Sequence, residues 1–167
     1  EIEITSGGKN IAKDGKATQS TTGHGGDASR AMDGDKSRNY GKGMTHTIEN
    51  KPNPWWEIDL GGAHEIETLG LWAREGFGDR LGGFTLSLLD DARKAVFEIK
   101  NVEAPQSMTI DVKGGGKLTY LTFDGKPGKP AAKGSSGGAP TAKEPALVEV
   151  PADYKDTLPF AFSKGDT

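Results

Sequence analysis

The chain has 167 residues, of which 33% are hydrophobic and 27% are charged, and this length suits one domain with a buried core. Its 25 glycines and 9 prolines disfavour a helical bundle, because both residues are penalised inside helices. A net charge of −3 without a basic block argues against nucleic-acid binding through phosphate neutralisation, and the absence of cysteine excludes disulfides and thiol chemistry.

The first long segment, residues 10–54, is polar, rich in glycine and nearly without predicted strands. A long irregular segment inside a compact domain is usually either functional or disordered. Binding residues often lie on such loops, because a rigid scaffold holds the loops in place.

Short apolar segments separated by turn residues follow, and several alternate apolar and polar residues with a period of two. The predicted strands span residues 56–60, 66–72, 84–89, 95–99, 108–112, 118–123 and 146–150. Seven short strands without helical periodicity favour an all-β sandwich.

The three tryptophans, which lie at the first two predicted strands, can be interpreted as core residues or as sugar-binding residues. Alternation puts Trp56 on the core face with Ile58 and Leu60. For Trp55 and Trp72 the core is also the favoured position, and the alternative is an exposed ring that stacks on a sugar.

Residues 125–145 are dominated by Pro, Gly, Ala, Ser and Lys, which predicts a flexible insertion. The apolar pattern resumes at Ala146, so the insertion is expected to lie inside a domain that spans residues 1–154. Residues 155–167 are then expected to form a linker or the start of a further domain.

Two groups of polar residues are candidates for binding. Asp33 and Asp35 flank Gly34 in a polar loop that offers carboxylate and carbonyl oxygens to Ca²⁺, and the alternative is an ordinary turn with solvated carboxylates. His46, Arg74 and Arg80 form a donor-rich cluster if they converge, because guanidinium groups suit sugar hydroxyls as well as carboxylates. The alternative is that the arginines pair with neighbouring carboxylates and the histidine is an ordinary loop residue.

Catalytic motifs do not emerge from the sequence. It contains neither the Gly-x-Ser-x-Gly elbow of a hydrolase nor the Gly-Lys-Ser/Thr ending of a phosphate-binding loop. A non-enzymatic protein is therefore expected, and the alternative is a glycosidase segment, whose pair of carboxylates follows no sequence motif.

An ordered string of motifs resembles the F-type lectin (fucolectin) domain of the coagulation-factor type C, or discoidin-like, galactose-binding-like group. The motifs are NIAK from Asn10, DASRAMDG from Asp27, THT from Thr45, NPWWEIDLG from Asn53 and DRLGGF from Asp79. The resemblance covers residues 9–100 and returns at residues 147–150. It implies a jelly-roll β-sandwich of about eight antiparallel strands with long functional loops.

The family's fucose site uses one histidine and two arginines, and these match His46, Arg74 and Arg80. An apolar wall beside them is expected from three further residues, Tyr40, Phe77 and His24. The family's structural Ca²⁺ implies side-chain ligands at Asp33 and Glu149. Backbone ligands are implied at Arg30, Asp35, Gly43 (or Met44) and Val148.

The resemblance implies a calcium-stabilised module that targets a larger exported protein, extracellular or periplasmic, to fucose-like glycans. Other domains or subunits are expected partners, whereas nucleic acid and membrane insertion are not. The alternative is a structural interaction module with a degenerate sugar site. It is favoured by the insertion at 125–145 and by an Arg74–Arg80 loop one residue shorter than the family pattern.

Overall fold

The computed structural model describes residues 1–39, 41–122, 124–130 and 160–164. Within these ranges the chain forms ten β-strands in two five-stranded antiparallel sheets, with three short 3₁₀ turns and no α-helix. The expected all-β, jelly-roll type sandwich is therefore confirmed. The same ranges contain no helix that is long and apolar enough to cross a bilayer.

The first sheet has the strand order β2-β1-β5-β8-β9. Its strands are β1 (Ile2–Ser6), β2 (Lys9–Asn10), β5 (Thr68–Trp72), β8 (Ser107–Asp111) and β9 (Lys117–Leu121). Every neighbouring pair is antiparallel, with β1 and β5 in register from Ile2 opposite Leu71.

The second sheet has the order β3-β4-β10-β6-β7. Its strands are β3 (Lys16–Gln19), β4 (Trp55–Asp59), β6 (Phe84–Leu89), β7 (Ala95–Val102) and β10 (Phe160–Lys164). The backbone of β10 pairs with β4 on one side and with β6 on the other.

One hydrophobic cluster draws on both sheets. On β4, alternation buries Trp56 and Ile58 as predicted, and Leu60 beyond the strand is buried too. Full burial of a large apolar side chain stabilises the fold by roughly 1.5–3 kcal/mol. The indole Nε1 of Trp56 donates a hydrogen bond of 2.9 Å to the carbonyl of Ala28, which fixes a loop to the core.

Six of the seven predicted strands are present, with ends that match or are shifted by up to three residues, and residues 146–150 lie outside the described part of the chain. The segment 10–54 has few strand residues, but it contains a strand that the sequence analysis missed: β3, an edge strand whose K-A-T-Q sequence is too polar to reveal it. The expectation for residues 155–167 was wrong. Residues 160–164 belong to the sandwich and not to a linker or further domain, because they pair with β4 and β6. The sequence pattern did not reveal this pairing, because β4 and β6 are distant in sequence.

The expectation for Trp55 was also wrong. Its side chain is 39% exposed, because successive residues of a strand face opposite sides and Trp56 occupies the core side. Trp72 is half-buried, and the ammonium of Lys36 lies 4.2 Å from its ring centre.

Candidate functional site

A cleft of about 740 Å³ is lined mainly by the loop before β4 and by the segment after β5. It contains four residues that the sequence analysis assigned to sugar binding: His46, Arg74, Phe77 and Arg80. Arg74 and Arg80 follow β5 in sequence, whereas His46 precedes β4. The fold therefore brings together groups from two different loops.

The two arginines of the cleft share one aromatic ring. The guanidinium carbon of Arg74 lies 4.1 Å from the ring centre of Phe77, and that of Arg80 lies 4.5 Å from it. These are cation–π distances, which are worth about 0.5–1 kcal/mol each at an exposed site.

Consecutive turns create this arrangement. The amide of Phe77 donates to the carbonyl of Arg74 at 3.1 Å, and the amide of Arg80 donates to the carbonyl of Phe77 at 3.2 Å. Gly76, at φ +75°, supplies the left-handed residue of the first turn. The second turn is the 3₁₀ segment Gly78–Leu81.

His46 is held by its backbone against the turn of residues 23–26. Its carbonyl accepts from the amide of Gly23 at 2.8 Å, and its amide donates to the carbonyl of Gly26 at 2.9 Å. A Cβ atom on Gly26 would lie 2.6 Å from the amide nitrogen of His46, so the position requires glycine. The Nε2 group of Gln19 donates to the carbonyls of both Gly26 and His46.

His24 and Tyr40, the remaining predicted wall residues, differ in outcome. His24 contacts His46 edge-to-face, with ring centres 5.2 Å apart, and it lies beside the cleft rather than among its lining residues. Tyr40 lies outside the described residues.

Sequence reasoning missed part of the apolar lining of the cleft. Among the described residues, the exposed large hydrophobic side chains are Ile48, Trp55, Phe77 and Leu81, and all four line the cleft. The alternation of β4 could have identified Trp55 as outward-facing. Nothing local marks Ile48 or Leu81.

Glu49 lies on the His46 side of the site and pairs with two imidazoles. Its carboxylate lies 3.1 Å from Nε2 of His24 and 3.7 Å from Nε2 of His46. A backbone hydrogen bond at Glu49 itself, followed by the hydrogen bond and charge of His24, lowers the pKa of this carboxyl.

The loop predicted to hold Ca²⁺ has closely spaced oxygen atoms. Oδ1 of Asp33 accepts from the amide of Asp35 at 2.8 Å, and Oδ1 of Asp35 accepts from the amide of Ser37 at 2.7 Å. A Cβ atom on Gly43 would lie 2.5 Å from the carbonyl oxygen of Asp35, so Gly43 packs directly on this loop.

The carboxylate and carbonyl oxygens of this loop are of the kind that Ca²⁺ prefers as ligands. Arg30 lies at the C-terminal part of the 3₁₀ turn Ala28–Ala31, just before Asp33. Val148 and Glu149, the other two ligands implied by the resemblance, lie outside the described residues.

Glu1 is a buried carboxyl next to this loop that sequence reasoning missed. Its Oε1 accepts from the amide of Gly34 at 3.0 Å, and the residue is 4% exposed. Burial raises the pKa of Glu1 to about 7, although the hydrogen bond from the Gly34 amide acts in the opposite direction. Its position depends on the pairing of β1 with β5, so no local motif announces it.

Two antiparallel sheets of jelly-roll type, with a cleft built by their connecting loops, define a β-sandwich binding domain. The chain belongs to the F5/F8 type C family, since the model for the NedA-like, galactose-binding domain of that family matches residues 30–123. Similarity to fucolectins and to fucose-binding modules identifies it more closely as an F-type lectin domain, as the sequence motifs predicted.

Fucolectin-1 of Anguilla japonica is 35% identical over 81 residues, which cover 45% of this chain and 46% of that protein. The chain spans about half the length of the curated relatives it matches. A Streptococcus pneumoniae fucose binding module, SpX-3, superposes with a TM-score of 0.62 at 25% identity, covering 93% of this chain and 85% of that chain. The lectin domain of lectinolysin, solved in complex with Lewis B antigen, has a TM-score of 0.59 at 25% identity, covering 94% and 86%.

Proposed function

We propose that this chain is a non-catalytic carbohydrate-binding domain that recognises fucose within a glycan. The observation that carries the proposal is the shared cleft of His46, Arg74 and Arg80 around the ring of Phe77. The relatives add support, because their names describe fucolectins, a fucose binding module and a lectin domain bound to Lewis B antigen.

In this proposal the two guanidinium groups donate hydrogen bonds to sugar hydroxyls and to the ring oxygen. Guanidinium donors have a fixed fork geometry, so their orientation on Phe77 pre-organises them for one sugar pose. His46 adds a third polar contact from the opposite loop. A single sugar offers little area, so useful affinity is expected to come from several sites acting together.

The size of the cleft favours an oligosaccharide over a single sugar. Pockets of about 300–1,000 Å³ hold drug-sized ligands, and this cleft of about 740 Å³ lies within that range. Beyond the arginines, exposed Trp55 and Ile48 offer an apolar surface on which a second sugar can pack.

We further propose that Ca²⁺ stabilises the loop of residues 30–43. The ligands are the side chains of Asp33 and Glu149 and the backbone oxygens of the other residues named above. Bound Ca²⁺ would supply a structural cross-link between this loop and the segment that carries Glu149, without taking part in any reaction. We also propose that this domain is part of a larger exported protein, which is extracellular or periplasmic and which the domain targets to glycans.

A glycan titration tests the sugar site directly. L-Fucose and the Lewis b oligosaccharide would be titrated calorimetrically into the wild type and into Arg74→Lys, with D-glucose as the control ligand. Lysine keeps the positive charge but lacks the planar guanidinium with its fixed set of N–H donors. We therefore expect at least tenfold weaker glycan binding in Arg74→Lys. Arg93→Lys is the matched control, because Arg93 pairs with Glu57 on β4 and does not line the cleft. Equal glycan affinity in all three proteins would refute the assigned site.

A second candidate function is a structural interaction module with a degenerate sugar site. The observation that favours it is the convergence of all four exposed large apolar side chains of the described chain on one cleft. Exposed apolar clusters also mark protein interfaces. This function would be favoured if neither L-fucose nor the Lewis b oligosaccharide binds and if Trp55 is buried in the larger protein.

A further inference from the structure

We propose that His24, His46 and Glu49 form a binding site for a divalent transition-metal ion of the Zn²⁺ type. His46 and Glu49 line the cleft and His24 lies beside it, and the ligand atoms of the three side chains all lie within 4.8 Å of one another. The site is separate from the oxygen-rich loop of residues 30–43. It requires only these three side chains, whether or not the cleft binds a glycan.

Two of the three distances between ligand atoms are close to those around a tetrahedral ion. Zn²⁺ holds nitrogen and oxygen ligands at about 2.0–2.1 Å, which separates neighbouring ligand atoms by about 3.3 Å. Nε2 of His24 lies 3.1 Å from Oε1 of Glu49, and Nε2 of His46 lies 3.7 Å from the same oxygen. Small rotations of exposed side chains would therefore bring all three ligand atoms onto one ion.

The chemistry of the ligands selects the class of metal. Two imidazoles and one carboxylate suit Zn²⁺, Ni²⁺ or Cu²⁺, whereas Ca²⁺ and Mg²⁺ prefer oxygen ligands alone. Three protein ligands leave a fourth tetrahedral position for water or another ligand. The exposed fractions of His24 and Glu49, 61% and 50%, give an ion access from solvent.

Hydrogen bonds connect the two loops that carry the three ligands. His46 is bonded to the turn of residues 23–26, which carries His24, through the two backbone hydrogen bonds described above. One residue before Glu49, the amide of Ile48 donates to Oγ1 of Thr21 at 3.0 Å. Both loops are thus anchored to each other, so little ordering of the backbone accompanies metal binding.

Metal binding at this site should also affect glycan binding, and this coupling rests on the proposed glycan-binding function. His46 serves both sites, so a metal ion on its Nε2 withdraws that nitrogen from the sugar. Zn²⁺ and fucose should therefore weaken each other's binding by the same factor.

Direct metal titration tests the site without any glycan. Chelator-treated protein, exchanged into buffer with Ca²⁺ to occupy oxygen sites, would be titrated with ZnCl₂ and NiCl₂ in competition with a chromophoric chelator. We expect one saturable site per chain. Removing a partner that only supports a metal ligand commonly costs 10–100-fold in affinity, so His24→Gln and Glu49→Gln, which remove ligands, should each cost at least tenfold.

His64→Gln is the matched control, because His64 is the remaining histidine and its ring contacts the carbonyl of Leu60 at 3.3 Å. Melting curves without metal would establish that each variant is folded. The proposal is overturned if the wild type has no saturable site, or if all three variants bind the ions equally well. Fucose titration in the same Ca²⁺ buffer without Zn²⁺ or Ni²⁺ is a separate measurement, so failure of the metal site and failure of the glycan site give different results.

Discussion

Replacing Phe77 with leucine tests whether the ring orients the two arginines of the cleft. Both guanidinium groups lie within 4.5 Å of its centre, and each such contact is worth about 0.5–1 kcal/mol at an exposed site. Loss of both contacts is thus expected to remove about 1–2 kcal/mol of pre-organisation. Glycan affinity should fall about 5–30-fold, since about 1.4 kcal/mol corresponds to tenfold.

Calorimetric titration with the Lewis b oligosaccharide measures this loss, and a thermal melt of the same sample measures stability. Phe77 is 36% exposed and the lost contacts lie within the folded chain, so the free energy of unfolding should fall by no more than about 2 kcal/mol. Leu81→Ala is the control, because Leu81 is 38% exposed in the same cleft but offers no ring to the arginines. Equal losses in the two variants, or unchanged affinity in Phe77→Leu, would refute the orienting role.

Three further predictions concern the loops and the buried acid. Gly26→Ala should displace His46 and weaken glycan binding at least tenfold, whereas Gly62→Ala, where a Cβ meets nothing within 4 Å, should bind normally in the same titration. Ca²⁺ at 100 times its dissociation constant should raise the wild-type melting temperature by about 5–10 °C, and Asp33→Ala should lose this increase but melt like wild type in chelator. Between pH 4.5 and about 7 the folded chain keeps a proton on Glu1 that the unfolded chain has released, so stability should fall as pH rises through this window. Urea unfolding at several pH values measures this fall, and Glu1→Gln should abolish it; a flat pH profile in the wild type would contradict the raised pKa.

Local patterns predicted the features that depend on neighbouring residues. Alternation along W-E-I-D-L identified the buried face of β4, and the same rule correctly applied would have turned Trp55 outward. The family motifs selected His46, Arg74, Phe77 and Arg80, and the fold brings these four into one cleft. Their roles in sugar binding stay predictions.

Features that depend on distant parts of the chain could not be predicted. The proximity of Glu1 to Gly34 follows from a sheet register between β1 and β5, and no motif encodes that register. The contact between Glu49 and His24, which are 25 residues apart, was equally unpredictable, because it forms only when two loops meet in the folded chain. The edge strand β3 was missed because its exposed positions are polar and its half-buried positions, Ala17 and Gln19, include no large apolar side chain.

The insertion of β10 between β4 and β6 has a consequence for how this domain folds. The second sheet joins residues 55–59 and 84–89 through a strand at residues 160–164, so it cannot close until nearly the whole chain is available. Such non-local pairing slows folding, because loop-closure entropy is lost before the contacts form. Until β10 docks, β4 and β6 each present an open edge, and an open edge can capture the same strand from another copy. During synthesis, the interval before β10 docks is therefore the time at which this domain is most exposed to misassembly.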